Sequence, residues 1–314
     1  MRVGAVDCGT NSIRLLISEV GAEGALTDVH REMRVVRLGE GVDATGRFAD
    51  AAIERTRTAL SDYVDMMVAQ GVSAVRMVAT SATRDAANRE EFFAMTAELL
   101  GRVVPGSVAE VISGDEEARL SFTGAVGELD AAGGPFVVVD LGGGSTEFVL
   151  GDHGGVTAAR SVNIGCVRLT ERCLHSDPPT DAEIAAAQSV IAEAVAEATD
   201  VVPVQTARSW IGVAGTMTTL AALGQGLTEY DPERIHLSRI GIDELSEVCW
   251  RLVRMTRAER AALGPMHPGR VDVIGGGSLV TLASVELMRA GGVQELIVSE
   301  HDILDGIAMS LLGA

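Results

Sequence analysis

Residues 136–150 read FVVVDLGGGSTEFVL, in which two apolar runs flank an aspartate, three glycines and two hydroxyl residues. The runs Phe136–Val139 and Phe148–Leu150 predict strands, because short β-branched runs bounded by turn residues are typical of strands. The glycines predict a turn whose backbone N–H groups can converge on an anion, since no Cβ blocks its approach. Asp140 ends the first strand, where its carboxylate could hold Mg²⁺ or a metal-bound water.

The start of the chain repeats this arrangement. Arg2–Val6 predicts a strand that stops at the sequence DCGTNS (7–12), and Ile13–Val20 predicts a second strand directly after it. Asp7 and Asp140 are 133 residues apart in a chain of 314 residues, which predicts a duplicated domain. For a single turn of this kind an ordinary β-hairpin is the alternative. Two copies favour a pair of turns that clamp a phosphate chain across an interdomain cleft.

Strands alternate with helices along the rest of the chain, a pattern that predicts an α/β sheet protein. The Ala/Gly/Pro-rich segment Ala131–Pro135, or the helix before it, indicates a boundary between domain I (1–126) and domain II (127–314). The last helix (303–312) is predicted to pack back on domain I. The further predicted strands are Val75–Ala79, Val108–Ile112, Thr157–Val162, Trp210–Val213, Val271–Ile274 and Val293–Val298. The predicted helices are Ala51–Gln70, Thr83–Leu100, Asp115–Val126, Thr180–Thr199, Thr216–Gly224, Ile242–Met255, Ser278–Arg289 and Ile303–Leu312.

The charge of the chain excludes several kinds of chemistry. All 25 basic residues are arginine, and with 44 acidic residues the formal net charge is −19. A chain without lysine has no Walker A loop, no pyridoxal Schiff base and no lysine nucleophile. Any phosphate chemistry must therefore use arginine, backbone N–H groups, helix N-termini or a metal. The negative charge argues against binding to nucleic acid or to an anionic membrane.

The remaining composition predicts a cytoplasmic globular protein. Hydrophobic residues make up 47% of the chain, and the scarcity of aromatic residues predicts a core of Val, Leu, Ile and Ala. Asp7 interrupts the apolar start of the chain, so we expect no signal peptide, and no apolar run reaches the length of a membrane span. The cysteines form no C-x-x-C pair and are predicted to be reduced and mostly buried: Cys8, Cys166, Cys173 and Cys249.

Two further glycine loops carry alternative interpretations. The first, GVAGT (212–216), lies between a predicted strand and a predicted helix, where a phosphate would meet free N–H groups and a favourable helix dipole. The alternative is a tight turn in which Thr216 caps the helix. The second loop, GGGS (275–278), repeats the pattern and carries the same two interpretations.

Two charged side chains near predicted helix starts are candidates for the reaction. Arg84 falls in the first turn of its predicted helix, where a cation opposes the dipole; an anionic ligand or a neighbouring carboxylate would explain it. Ser113 and Glu116 have the spacing of a capping box, which leaves Glu117 to accept a proton from water or to lie in solvent. Glu147, directly after the second glycine turn, is a rival base or a metal-associated group.

The glycine turns resemble the phosphate loops of the actin, sugar kinase and Hsp70 superfamily. Within it, four strings resemble the exopolyphosphatase/guanosine pentaphosphate phosphohydrolase (Ppx/GppA) family: VATSATRDAANR (78–89), ISGDEEARL (112–120), VVVDLGGGSTEFVLG (137–151) and VSEHDILDGIA (298–308). The similarity runs in consistent order from Val3 to the C-terminus. It implies two ribonuclease H-like domains with the active site in the cleft between them, and a homodimer.

The resemblance also implies an activity and its residues. Family members release terminal orthophosphate from polyphosphate, or the 5′ γ-phosphate from guanosine pentaphosphate (pppGpp), with Mg²⁺ or Mn²⁺ and water as the nucleophile. By position, Glu117 matches the general base, Asp140 and Glu147 match the residues that position water and metal, and Arg84 matches the substrate-binding arginine. The implied substrate-binding residues are Asp7, Gly9, Thr10, Asn11, Ser12, Arg14, Thr80, Ser81, Gly142, Gly143, Gly144, Ser145, Thr146, Gly215 and Thr216.

An exopolyphosphatase is therefore the leading hypothesis. Longer family members carry a further helical region, so short polyphosphate chains are the expected substrate here. The alternatives are a pppGpp phosphohydrolase, with nucleotides as substrate or inhibitor, a kinase on the same fold, and a sensor that binds an alarmone without turnover. A protein of charge −19 should repel polyphosphate, so we expect strong metal dependence and inhibition by high salt.

Overall fold

The computed structural model describes residues 1–312 and divides the chain into two compact units. The first unit comprises Met1–Gly124 and the residues from Ile303 onward, and the second comprises Ala125–Asp302. The strands are β1 (Arg2–Cys8), β2 (Ser12–Val20), β3 (Leu26–Val35), β4 (Val72–Ala79), β5 (Glu110–Val111), β6 (Phe136–Leu141), β7 (Thr146–Asp152), β8 (Gly155–Val162), β9 (Ser209–Val213), β10 (Ser238–Gly241) and β11 (Glu295–Val298).

Helices follow most of the parallel strands. They are α1 (Val42–Thr45), α2 (Asp50–Ala69), α3 (Ser81–Asp85), α4 (Arg89–Leu100), α5 (Gly114–Val126), α6 (Cys166–Cys173), α7 (Asp181–Thr199), α8 (Ala214–Gly224), α9 (Pro232–Ile235), α10 (Ile242–Arg254), α11 (Arg257–Ala261), α12 (Ile274–Ala290) and α13 (Ile303–Ser310). Short 3₁₀ turns occur at Ala22–Gly24, Ala131–Gly133, Val204–Thr206 and Pro268–Arg270.

The first unit is built on a five-stranded sheet in the order β3-β2-β1-β4-β5. β1 is antiparallel to β2 and parallel to β4, and β5 is parallel to β4. Apolar side chains on one face pack with α2 and α4, and those of Ala5, Leu16 and Val78 pack with Ile303 and Ile307 of α13. The C-terminal helix thus completes the core of the first unit.

The second unit repeats this order. Its sheet reads β8-β7-β6-β9-β11-β10, so that the first four strands again run third, second, first and fourth in chain order. The next place is taken by β11, the sixth strand of the unit in chain order, and β10 forms the edge. β7 is antiparallel to both of its neighbours, β6 and β8, while β9 is parallel to β6 and β11 is parallel to β9. The expected duplication of a ribonuclease H-like domain is confirmed. The apolar run Val137–Val139 is fully buried because helices cover the sheet.

Two predictions on secondary structure were wrong, and six elements were not predicted. The helix predicted over Thr83–Leu100 is interrupted between α3 and α4, because the Asn88 side chain bonds both the N–H and the carbonyl of Phe48. The strand predicted over Val271–Ile274 is a turn followed by the start of α12. Strands β3 and β10 and the helices α1, α6, α9 and α11 have no counterpart in the sequence-based prediction.

Two expectations about the character of the chain can be compared with the structure. Cys8, Cys166, Cys173 and Cys249 are all free and buried, as expected. Within residues 1–312, no helix combines the length and the apolar character that crossing a membrane requires.

Candidate active site

In the first unit, three predicted site segments lie at the same edge of the sheet. Parallel strands β1, β4 and β5 end there, because the carboxyl ends of parallel strands meet at one edge. Asp7 lies near the end of β1, Thr80 follows β4, and the α5 turn with Glu117 follows β5. The register places Asp7 beside Arg14 of β2 on one side and Val78 of β4 on the other.

Glu117 is a buried carboxylate held by an arginine. Its side chain accepts a hydrogen bond from Arg84 Nη1 at 2.7 Å, and Arg84 Nη1 also donates to the Ile112 carbonyl at 3.1 Å. Burial raises the pKa of Glu117, while the Arg84 cation and a hydrogen bond from Thr80 oppose the rise. A carboxylate of raised pKa is a stronger base toward a proton of water.

The position of Arg84 corrects one premise of the sequence analysis. Because α3 ends at Asp85, Arg84 lies in the last turn of a short helix, where a cation is favourable. The carboxylate that pairs with it is Glu117 itself. The Ser113 hydroxyl accepts from the Glu116 N–H at 3.2 Å, as a capping box requires, but the Glu116 carboxylate pairs with Arg76 at 2.6 Å.

The β1–β2 turn presents polar groups beside this pair. Asp7 is buried and accepts two hydrogen bonds through Oδ2 from Arg14, at 3.0 Å from Nε and 2.7 Å from Nη2. The Gly9 N–H donates to the Ser12 carbonyl at 3.0 Å and closes the turn. Within residues 1–312, the buried Thr10 hydroxyl has no hydrogen-bond partner, which suits a group that bonds a ligand.

In the second unit, two carboxylates lie side by side. Asp140 of β6 and Glu147 of β7 are direct partners in the antiparallel register, and both are buried, with 6% and 1% exposed. Ser161 of β8 donates to Glu147 Oε1 at 2.6 Å and orients that side chain. Neighbouring carboxylate oxygens are the donors that Mg²⁺ and Mn²⁺ prefer, so this pair fits a hard divalent cation.

The glycine turn of the second unit matches the turn of the first. The Gly142 N–H donates to the Ser145 carbonyl at 3.1 Å. The N–H groups of Gly143 and Gly144 donate a hydrogen bond to no group within residues 1–312. The Gly143 carbonyl accepts from the N–H groups at the start of α6. A Cβ on Gly165 would lie 2.5 Å from the Gly143 carbonyl carbon and oxygen, so only glycine allows this support of the turn.

The GVAGT loop lies at the same edge of the second sheet. Val213 of β9 is the register partner of Asp140, and α8 begins directly after it at Ala214. Ala214 has a φ of 70°, a strained conformation for alanine of the kind that concentrates at functional sites. Since α8 begins at Ala214 with Val213 as its N-cap, the alternative in which Thr216 caps the helix was wrong.

The GGGS segment is structural. Residues 275–277 lie inside the first turns of α12 rather than in a loop. A Cβ on Gly276 would lie 2.5 Å from the Thr170 hydroxyl, and one on Gly277 would lie 2.7 Å from the Thr216 side chain. The glycines therefore let α12 pack closely against α6 and α8, and this segment does not form a strand–helix phosphate loop.

Arg270 is a candidate site residue that the sequence analysis missed. Its guanidinium lies against the backbone of Gly215, where a Cβ would come within 2.3 Å of Nη2, and its Nη1 donates to the Thr219 hydroxyl at 3.1 Å. No motif marks it, because it lies in a turn 55 residues after Gly215.

The structure thus gathers the predicted site residues into two groups, one in each unit. The group in the first unit is Asp7, Gly9, Thr10, Asn11, Ser12, Arg14, Thr80, Ser81, Arg84 and Glu117. The group in the second unit is Asp140, Gly142, Gly143, Gly144, Ser145, Thr146, Glu147, Gly215 and Thr216.

Comparisons with known proteins agree with this arrangement. The sequence profile of the Ppx/GppA phosphatase family matches residues 16–314. The chain is 63% identical to Exopolyphosphatase 2 of Mycobacterium tuberculosis, covering 99% of both chains. It superposes on the crystal structure of an exopolyphosphatase-like protein with a TM-score of 0.93 at 42% identity, covering 100% of this chain and 99% of the other. For the Ppx/GppA enzyme of Aquifex aeolicus the TM-score is 0.80 at 31% identity, with 99% of each chain covered. The chain therefore belongs to the Ppx/GppA phosphatase family.

Proposed function

We propose that this chain is an exopolyphosphatase, which releases terminal orthophosphate from inorganic polyphosphate by attack of water. The observation that carries the proposal is the buried Glu117, whose carboxylate is held by Arg84 in a setting that raises its pKa. The close relative named an exopolyphosphatase supports the choice of polyphosphate as the substrate.

Glu117 is the proposed general base. It accepts a proton from water as the water oxygen forms a bond to the terminal phosphorus, and the bridging P–O bond breaks. The products are orthophosphate and a polyphosphate chain shortened by one phosphate. Arg84 has a second role in this proposal, because its guanidinium also carries donors suited to a phosphate oxygen.

Asp140 and Glu147 are the proposed ligands of a divalent cation, Mg²⁺ or Mn²⁺. The register of β6 and β7 holds the two carboxylates next to each other, and Ser161 fixes Glu147. When bound, the cation would neutralise charge on the phosphate oxygens. The N–H groups of Gly143 and Gly144 and the backbone of Gly215 are the proposed phosphate donors of the second unit, with Thr10 and its turn in the first.

Arg270 strengthens the second group in this proposal. Its guanidinium lies on Gly215, so it adds a positive charge beside the GVAGT loop of a chain whose net charge is −19. A local cation is what a polyanionic substrate requires in an acidic protein. A homodimer in the cytoplasm is the proposed setting, and light scattering tests the dimer.

The direct test is a comparison of substrates with the purified wild-type chain. We expect Mg²⁺-dependent orthophosphate release from polyphosphates of defined length, and a lower kcat/KM for pppGpp. Adding ADP distinguishes a kinase, which would form ATP in proportion to the phosphate lost from polyphosphate. Release from pppGpp with a higher kcat/KM than from every polyphosphate would replace this proposal with the pppGpp phosphohydrolase. Binding of either compound without release would indicate a sensor.

A further inference from the structure

Three side chains of the second unit converge at a place that the proposed reaction does not use. Glu128 follows α5, His236 follows α9, and His301 follows β11. Glu128 Oε1 lies 2.8 Å from His301 Nδ1, and Glu128 Oε2 lies 3.5 Å from His236 Nε2. The two imidazole rings are in contact, with centroids 4.4 Å apart and planes tilted by 42°. Segments distant in sequence thus bring two ring nitrogens and a carboxylate together.

The donor atoms are close enough for one metal ion to contact all three. One ligand atom from each side chain lies within 4.8 Å of the other two. Bonds of about 2.0–2.2 Å to a tetrahedral Zn²⁺ place neighbouring ligand atoms a little over 3 Å apart, so small side-chain rotations suffice. Two imidazole nitrogens and one carboxylate oxygen suit Zn²⁺ and its first-row neighbours, whereas Mg²⁺ prefers oxygen ligands alone.

The hydrogen bonds show which protons a metal would move. The Glu300 N–H donates to His236 Nδ1 at 3.2 Å, so the neutral ring carries its own proton on Nε2, facing Glu128. Binding through Nε2 moves that proton to Nδ1 and gives up the bond from Glu300. His301 binds through Nδ1 when its proton moves to Nε2. Metal binding therefore costs the hydrogen bond from the Glu300 N–H to His236. The metal takes the place of the two imidazole protons that face the Glu128 carboxylate.

We propose that Glu128, His236 and His301 bind one transition-metal dication, with Zn²⁺ as the best match. The three side chains are 56%, 20% and 32% exposed, so solvent can supply the fourth ligand. This site shares no residue with the carboxylate pair of Asp140 and Glu147 and takes a different class of metal. By joining three loops of the second unit, the bound ion stabilises that unit against unfolding.

The test uses the tag-free, full-length chain after removal of metals with a chelator. We expect the wild type to bind one Co²⁺ with the visible absorption of a low-coordinate site, and Zn²⁺ to displace it. Millimolar Mg²⁺ should not displace it. Zn²⁺ should raise the unfolding temperature by several degrees.

In His301→Ala and Glu128→Gln, Kd for Zn²⁺ should rise at least tenfold and the thermal shift should disappear. His175→Ala, which removes an exposed histidine elsewhere in the second unit, is the matched control and should behave as the wild type.

Circular dichroism checks that each variant is folded, and both substituted side chains are partly exposed. Equal Zn²⁺ affinity in His301→Ala and His175→Ala would overturn the proposal and indicate adventitious binding. Absence of Co²⁺ absorption and of any thermal shift in the wild type would also overturn it, and would identify the cluster as a hydrogen-bonded triad. None of these readouts depends on phosphatase activity, so failure of this proposal and failure of the proposed function are distinguishable.

Discussion

Arg84 Nη1 donates to Glu117 Oε2 at 2.7 Å, and this pair joins α3 to the first turn of α5. The two largest effects on the pKa of this carboxyl group oppose each other. Burial raises the pKa of Glu117, and the guanidinium lowers it, with burial the larger effect. The pair therefore sets the pH at which Glu117 becomes a base.

Arg84→Ala should shift the pH dependence of the reaction. Because Arg84 favours the ionised form of Glu117, its removal raises the pKa of Glu117 further. The base must be ionised to accept a proton, so the acid limb of the kcat/KM profile for orthophosphate release should move to higher pH. The value of kcat/KM at its maximum should fall by about tenfold or more, because a charged hydrogen bond to phosphate is lost.

The control for this prediction is Arg89→Ala, which removes an exposed arginine from the start of α4. Its acid limb should coincide with that of the wild type. An Arg84→Ala profile with a lower maximum but an unmoved acid limb would show that Arg84 binds substrate without setting the pKa of Glu117.

The stability of Glu117→Gln relative to the wild type should rise with pH. The pKa of Glu117 is higher in the folded chain than its ordinary value of 4.5, so ionisation destabilises the fold. That destabilisation is absent below 4.5 and complete above the raised pKa. The unfolding temperature of the variant minus that of the wild type should therefore grow as the pH is raised from 4 to 9. Glu116→Gln is the control for the loss of a neighbouring carboxylate. A difference in unfolding temperature between Glu117→Gln and the wild type that stays constant from pH 4 to 9 would contradict the raised pKa of Glu117.

Much of this arrangement could be predicted from the sequence, because short motifs encode it. The strings DCGTNS and DLGGGSTE predicted the two turns and the duplicated sheet, since the same strand–turn–strand pattern occurs once in each half of the chain. The strand β3 could not be predicted: its residues are mostly half-exposed and four of the ten are charged, so hydrophobic alternation is weak. The break after α3 depends on Asn88 and Phe48, which are 40 residues apart.

Long-range packing explains the other differences. The glycines 275–277 look like a phosphate loop in the sequence, and only the contacts of α12 with Thr170 and Thr216 show that they serve helix packing. Arg270 and Ser161 reach the site through tertiary structure, and no local pattern marks either residue. Motifs thus predicted the backbone turns well, while the side chains that support them required the structure.

Gly165→Ala should damage the second glycine turn. The added Cβ would lie 2.5 Å from the Gly143 carbonyl, so the turn must move, at a cost of about 1–3 kcal/mol. We expect lower chemical stability in urea together with a raised KM for polyphosphate. Gly241→Ala is the matched control, since a Cβ there meets nothing within 4 Å and its φ of −63° suits alanine. Gly241→Ala should alter the free energy of unfolding by less than about 0.5 kcal/mol. Equal effects of the two substitutions would contradict the close approach of Gly165 to the Gly143 carbonyl.

Removal of divalent metal should abolish orthophosphate release. Asp140 and Glu147 are buried neighbours, and a cation between their oxygens is the proposed source of charge neutralisation. Excess chelator should stop the reaction and added Mg²⁺ should restore it. Asp140→Asn should lower kcat at least tenfold and raise the Mg²⁺ concentration needed for half-maximal rate. The control is Asp152→Asn at the exposed end of β7, which should leave both kcat and this Mg²⁺ concentration unchanged. Activity that survives the chelator would refute this metal assignment.

The most direct test of the proposed mechanism is the rate of orthophosphate release by Glu117→Ala, measured at saturating polyphosphate and Mg²⁺ beside wild type and Glu116→Ala. The neighbouring Glu116 pairs with Arg76 and has no proposed role in the reaction. We expect kcat to fall at least about 100-fold for Glu117→Ala, as loss of a general base requires, and to stay within about threefold for Glu116→Ala. A Glu117→Ala rate within threefold of wild type would contradict the assignment of Glu117 as the base.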